Sequence, residues 1–247
     1  MEFTYDKYKY LLDLLKKKNY TFCNYENHEK YRKCVILRHD VDFTLEKALM
    51  LAKLENAENV KSTYFVLLST NFYNVFTKES FQILEQIKTL GHEIGLHFDE
   101  KRYEITCIEK LEYWINRESE CMRSALDQEM KVVSMHRPSK WILENNIKFK
   151  KILNSYSTTF IVDFKYLSDS RMVWKENVLD VIENENYEKL HILTHPFWYS
   201  NNKNETMKNK LSGFVNSAII ERYGNIKDNF RSIEDILSID DLKVNKK

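Results

Sequence analysis

Cys34-Val35-Ile36-Leu37-Arg38-His39-Asp40-Val41-Asp42-Phe43 opens as an apolar run, closes as a cluster of charge, and leads into a stretch patterned as a helix. An apolar run followed by a helix reads as a buried strand of an α/β fold, here with two acids at its end. Residues i and i+2 of a strand point to the same side, so Asp40 and Asp42 converge on one small volume if the extended geometry persists through Val41. Two carboxylates held that close suit a divalent metal, or one metal ligand beside one general base. A strand-to-helix turn also recruits Asp for its own purposes. The competing reading is a helix-capping Asp42 followed by Thr44, with Asp40 solvated.

The same β-then-α punctuation recurs on either side. A helix over 6–18, with Tyr8, Leu11, Leu12 and Leu15 at helical spacing, precedes strand 34–39 and helix 45–58. Strand 62–68 and helix 78–90 follow, then strand 93–97, a helical stretch over 104–128 and strand 131–135. The pattern continues with a helix near 144–153, a strand near 158–162, a helical piece near 175–186, strand 190–194 and a helix over 205–222. Repeated units of this kind imply a parallel sheet, because parallel strands need crossover connections. The polar clusters fall at the C-terminal ends of several strands, where barrel active sites collect, so the expected class is α/β with a distorted or incomplete (β/α) barrel. No linker, repeat or low-complexity segment interrupts the chain, which reads as a single domain over 1–247 with its motifs between about 34 and 198. The tail after 225 is mixed polar and is expected to pack loosely.

Bulk properties narrow the function. With 43% hydrophobic and 13% aromatic residues in 247, and only 4 Gly and 2 Pro, the chain has material for a substantial core and few flexible joints. A formal net charge of +1 gives no electrostatic case for nucleic acid, and Lys16-Lys17-Lys18 reads as a solvated helix end. The first residues carry Glu2, Asp6, Lys7 and Lys9 and no apolar h-region, and no segment approaches a membrane span, so a cytoplasmic location is expected. Cys23, Cys34, Cys107 and Cys121 form no C-x-x-C pair and are expected as small core or half-buried residues rather than disulfides or zinc ligands.

Four clusters end predicted strands: His39-Asp40-Val41-Asp42, His97-Phe98-Asp99-Glu100, His136-Arg137-Pro138-Ser139 and Thr194-His195-Pro196. With His92 they account for five of the seven histidines. Imidazole and carboxylate gathered at one face of a parallel barrel is the composition of a mononuclear metal hydrolase site, although any one of these histidines alone reads more often as a hydrogen-bonded structural residue.

The order RHDVD, VKSTYFV, GHEIGLH, HRPS and ILTHP over about 34–198 resembles the polysaccharide deacetylases with a NodB-type domain, carbohydrate esterase family four. That resemblance implies a distorted seven-stranded (β/α) barrel and the removal of N-acetyl or related acyl groups from amino sugars with a divalent metal, usually zinc. It gives Asp40 as general base, Asp42 and His97 as metal ligands, Arg137 as the arginine that orients the base, and His195 as general acid. Two departures stand out. Asp-Val-Asp replaces an adjacent Asp pair, which leaves open which acid binds metal; the spaced variant resembles the first motif of deacylases acting on lipid-linked formamido sugars. Position 101, where the family has its second metal histidine, is Lys101, a cation that cannot replace an imidazole. Either the metal is lost or another residue serves, with His136, Asp99 and Glu100 in reach. His136 is taken as the third ligand, against a role behind Asp40.

The remaining candidates are secondary. Asp169, in Lys165-Tyr166-Leu167-Ser168-Asp169-Ser170 before Trp174, is placed behind His195 to fix its tautomer, with a surface turn as the alternative. Phe197, Trp198 and Tyr199 read either as a wall for a sugar ring or acyl group or as core aromatics. His92 is expected at the opposite end of the barrel, about 17 Å from His97 along an extended strand. His39 is expected on the far side of its strand, His191 is expected to be remote, and His28 carries no signal. The expected function is metal-dependent hydrolysis of a sugar amide on a nucleotide-linked or lipid-linked surface-glycan precursor, as in a WbmS-like, O-antigen-associated subgroup. The rivals are an idle barrel that binds a glycan or protein, and a metal-independent hydrolase of a small cyclic amide.

Overall fold

The computed structural model describes residues 1–242, which fall into two compact units, Met1–Asn201 and a second beginning at Asn202. The first unit carries strands β1 (Thr21–Cys23), β2 (Cys34–Val41), β3 (Thr63–Leu67), β4 (Glu93–Phe98), β5 (Val132–Met135), β6 (Leu153–Asn154), β7 (Lys165–Ser168) and β8 (Lys189–Thr194). They form one parallel sheet in the order β6-β5-β4-β3-β2-β8-β7, with β1 attached to the first half of β2. Helices α1 (Tyr5–Lys17), α2 (Leu45–Ala57), α3 (Lys78–Thr89), α4 (Ile108–Leu126), α5 (Lys140–Glu144) and α6 (Val178–Glu183) complete this unit. The second unit contains α7 (Met207–Asn229) and α8 (Ile233–Ile236), tied by the Tyr223 hydroxyl donating to the Leu237 carbonyl at 2.9 Å. No helix among the described residues is long and apolar enough to cross a membrane.

The sheet is curled into a half-barrel, and side-chain chemistry shows how tightly. Arg38 on β2 donates to Ser155, immediately after β6, at 3.2 Å. Those strands stand four steps apart in the sheet, about 19 Å if the sheet were flat. Only a curled sheet brings them within reach of one side chain. Among the described residues no pairing joins β6 to β7, so the barrel is open there.

Strand alternation divides the buried residues into two sets. On β2, Cys34 and Ile36 face an inner cluster with Phe65, Val132, Tyr25, Phe160 and Phe164. Arg38 and Asp40 continue that inner face toward the C-terminal end. The interior therefore has a mainly apolar floor and a charged mouth. The other face packs Val41, Tyr64, Val66, Leu96 and Val133 against Leu45, Ala48, Leu84 and Leu111 of the helices. Thr44, not Asp42, caps α2, its hydroxyl accepting from the Lys47 amide at 3.4 Å. That leaves the Asp42 carboxylate for the site.

His39 lies on the outer face, as alternation predicts, and belongs to a buried polar knot. Glu55 of α2 accepts from Tyr8 at 2.5 Å, Ser62 at 2.6 Å, Tyr64 at 2.7 Å and His39 Nε2 at 2.8 Å, while His39 Nδ1 meets Thr194 Oγ1 at 2.6 Å. Burial pushes the Glu55 carboxyl up, but His39 and the other donors outweigh it and hold it down at about 2. His92 bonds Ser62 and the Ala52 carbonyl beside this knot and takes no part in the Asp42 cluster.

The expected elements hold from α1 through β5, with the short strand β1 unforeseen between them, and further departures are these. The helix expected near 144–153 is the short α5 followed by irregular chain, because Leu153 and Asn154 pair with β5. The strand expected near 158–162 is a π-type turn, Thr159–Asp163: Phe160 is buried while Val162 is 72% exposed, and Phe160 is taken by the inner cluster. The strand begins instead at Lys165, as β7. Cys121 is exposed rather than half-buried.

Two predictions arise here. Glu55→Gln should cost on the order of 3 kcal/mol at neutral pH, because an amide cannot accept from all four donors. The folded-state pKa lies below the unfolded value, so the Glu55 contribution is complete above about pH 4.5 and fades as pH falls toward 2. Thermal melts should show the gap between wild type and Glu55→Gln closing over that window. Gly95→Ala would set a Cβ 2.7 Å from the Phe65 ring and should destabilise by about 1–3 kcal/mol, measured by denaturant unfolding.

Candidate metal centre and active site

Asp42 Oδ1 lies 3.2 Å from His97 Nε2 and 3.1 Å from His136 Nδ1, and the two ring nitrogens are 3.2 Å apart. A four-coordinate ion with bonds near 2.0–2.1 Å has ligand-to-ligand edges of about 3.3 Å, so this triangle has the size of one tetrahedral face. The three are the one group of potential metal donors found among the described residues. Each arrives from a strand end: Asp42 just past β2, His97 near the end of β4, His136 just past β5.

Three observations fit a divalent cation. Asp42 Oδ1 is buried, and among the described residues nothing but the two imidazoles faces it within hydrogen-bonding distance. His97 Nδ1 meets the Ser134 carbonyl at 3.3 Å, a contact that places the proton there and leaves the Nε2 lone pair toward Asp42. The three groups are also electrostatically coupled, each ring offering either a proton to Asp42 or a lone pair to a cation beside it. Burial pushes Asp42 up, yet His136 and His97 hold it well below the usual carboxylate range, and His136 is raised in return despite its own burial. Asp40, Asp42 and Asp169 face this volume with Arg38 as the buried guanidinium among them, three carboxylates to one arginine, so a dication would take the place of the protons the imidazoles carry without it.

Asp40 is 4% exposed and gripped by Arg38, with Nε to Oδ1 at 3.1 Å and Nη2 to Oδ2 at 2.8 Å. Burial raises the Asp40 carboxyl, and Arg38, with His97 and His195 beyond it, more than offsets that and leaves it below the ordinary value. Asp40 Oδ2 is 3.6 Å from His97 Nε2. On the other side His195 presents Nε2 3.7 Å from Asp42 Oδ2, while its Nδ1 bonds Asp169 Oδ1 at 2.6 Å. Asp169 also accepts the His195 amide at 3.0 Å and the Tyr199 hydroxyl at 3.3 Å. Burial opposes protonation of His195, but Asp169, Asp42 and Asp40 prevail and bring it to about 9. A dication on Asp42 would cancel part of that pull.

The structure thus brings Asp40, Asp42, His97, His136, Asp169 and His195 together. Arg137 is the exception. The expectation that it reaches Asp40 is not met: its side chain is 51% exposed and forks onto Asp99 through Nε at 3.2 Å and through Nη2. The reason is local. Arg38 already occupies both Asp40 oxygens from the same strand, and Asp99 offers Arg137 a carboxylate of its own at the barrel edge.

Lys101 is exposed, and its amide donates to Asp99 at 3.3 Å. Asp99 is occupied by Arg137 and Glu100 by the Ser139 amide, so neither joins the triad, and His136 does. Tyr199 is a core residue against Tyr8 and Phe3, whereas Phe197 stacks on Phe43 at 4.4 Å. His191 is buried inside the barrel, bonded to Tyr25 at 2.8 Å and the Phe160 carbonyl at 2.9 Å. Sequence reasoning missed Arg38, Ser134 and Ser155. A signal existed for the first: a charge in a strand buried on both faces needs a partner, and Asp40 is its i+2 neighbour.

No family model matches the sequence, and no curated protein matches it. Solved structures do. A family 4 carbohydrate esterase pseudoenzyme of Bacillus anthracis aligns at 14% identity and TM-score 0.44, over 77% of this chain and 63% of its own. A family 4 carbohydrate esterase of the same organism aligns at 17% and 0.44, over 86% and 85%, and a peptidoglycan deacetylase of Bacillus subtilis at 12% and 0.44, over 81% and 98%. The chain spans less than two thirds of the length of the first of these.

The triad predicts one divalent ion per chain by elemental analysis. Asp42→Asn and His97→Ala should each weaken zinc binding by more than about a hundredfold in a chelator competition, and His136→Ala by at least about tenfold. Lys101→Ala should leave it unchanged. Full occupancy in His136→Ala would remove that residue from the metal.

Proposed function

We propose that the protein is a metal-dependent hydrolase that removes an acyl group, acetyl or formyl, from an amino sugar. The observation that carries this reading is the orphaned Asp42 Oδ1 facing two imidazole nitrogens at 3.1–3.2 Å, with Asp40 on one side and the His195–Asp169 pair on the other. Asp42, His97 and His136 would hold the ion, zinc by the nitrogen and oxygen donor set, and it would supply Lewis-acid polarisation of the acyl carbonyl and a more acidic water.

The chain's own groups supply the proton transfers. Asp40, ionised, accepts a proton from the attacking water. His195, with Nδ1 on Asp169 and Nε2 toward the site, gives a proton to the departing amine. Asp169 fixes the tautomer and favours the imidazolium. Phe43 and Phe197, stacked beside Asp42 and His195, offer an apolar side to the substrate.

The finer reading is a nucleotide-linked or lipid-linked precursor of a surface glycan such as O-antigen, handled in the cytoplasm. Its support is the spaced Asp-Val-Asp motif, which resembles deacylases of lipid-linked formamido sugars. The idle-barrel rival draws on Lys101; the placement of His136 beside Asp42 and His97 supports the metal reading over it.

Turnover of N-acetyl and N-formyl amino sugars by the zinc-loaded protein tests the reading, with released amine as readout. Asp40→Asn should keep its metal and lose about a hundredfold or more in kcat. His195→Ala should also keep its metal, and substrates with better leaving groups should recover part of the lost rate. Equal slowing of activated and sugar amides in His195→Ala would exclude the general-acid role.

A further inference from the structure

Arg38 is fully buried, and four of its N–H groups are used: two on the Asp40 oxygens, one on Ser134 Oγ and one on Ser155 Oγ at 3.2 Å. Its guanidinium lies between the Phe65 and Tyr156 rings, 5.1 Å from each centroid. Such a fork fixes the plane of the carboxylate it holds, which a lysine cannot do. Ser134 serves twice, because its carbonyl also meets His97 Nδ1. One residue of β5 thereby ties the holder of Asp40 to a candidate metal ligand.

We propose that Arg38 is the positioning residue for Asp40, in the role that family resemblance would give Arg137. This inference rests on the deacylase reading above. The holder and the base it holds sit on the same strand, two residues apart, so their relative placement does not depend on the loop after β5. Arg137, paired with Asp99 at the exposed edge, takes no part in holding Asp40.

The test compares wild type, Arg38→Ala, Arg38→Lys and Arg137→Ala for kcat, KM and zinc content. Arg38→Ala should lose about a hundredfold in kcat with KM changed less than about threefold and zinc retained. Millimolar methylguanidinium should restore about tenfold of that loss saturably, and methylammonium should not, since only the former forks onto a carboxylate. Arg38→Lys should remain as slow as Arg38→Ala, and Arg137→Ala should stay within about threefold of wild type. Loss of kcat in Arg137→Ala equal to that in Arg38→Ala, or no response to methylguanidinium, overturns the proposal.

Where Arg38→Ala does not fold, thermal melts of Arg38→Met, Arg137→Met and Asp40→Asn, singly and paired, replace it. Coupling is expected between positions 38 and 40 and not between 137 and 40, and the reverse overturns the assignment. A wild-type protein that binds zinc but releases no amine from any acylated amino sugar sinks the deacylase reading itself, a result read before any variant is made.

Discussion

A strand buried on both faces has no room for an unsatisfied charge, yet β2 carries Arg38, His39 and Asp40 in succession. Alternation sends His39 outward to Glu55 and Thr194, and Arg38 and Asp40 inward to each other. Much of the first unit can be understood as the means of satisfying these three groups. Curling the sheet brings Ser134 and Ser155 to the guanidinium, and packing α1 and α2 on the outside brings Tyr8 and Glu55 to the imidazole.

The inward pair also explains why the site is polarised along the barrel. Below Arg38 the interior is Cys34, Ile36, Phe65 and Val132 around the mutually bonded Tyr25 and His191, and Gly95 has no side chain because the Phe65 ring occupies that space. Phe65 in turn forms one face of the slot for the guanidinium. The apolar floor keeps water from Arg38, which strengthens its hold on Asp40, and the mouth above collects Asp42, His97, His136 and His195.

How much of this could be read in advance depended on whether a feature was local. The alternation of strands and helices through β5 was legible from periodicity, and Asp40, Asp42, His97 and His195 from their positions at strand ends. Arg137 was expected at Asp40, but both Asp40 oxygens are bonded by Arg38, two residues away on the same strand, and Arg137 pairs with Asp99. The π-type turn at Thr159–Asp163 was illegible because Phe160-Ile161-Val162 has strand propensity, and only the inner cluster decides that Phe160 is buried while Val162 is not. Ser134 and Ser155 carry no signal as isolated serines. Their importance comes from the curl.

The open side between β6 and β7 sets a gradient in how firmly the guanidinium is held. Ser134 lies on β5, paired on both sides, whereas Ser155 follows the two-residue edge strand β6. A short edge strand can fray locally without global unfolding, while β2 and β4 are held between neighbours. Were that edge to fray, Arg38 would give up Ser155 and keep both bonds to Asp40. An opening there would thus be absorbed by a serine hydroxyl before it reached the carboxylate at the centre.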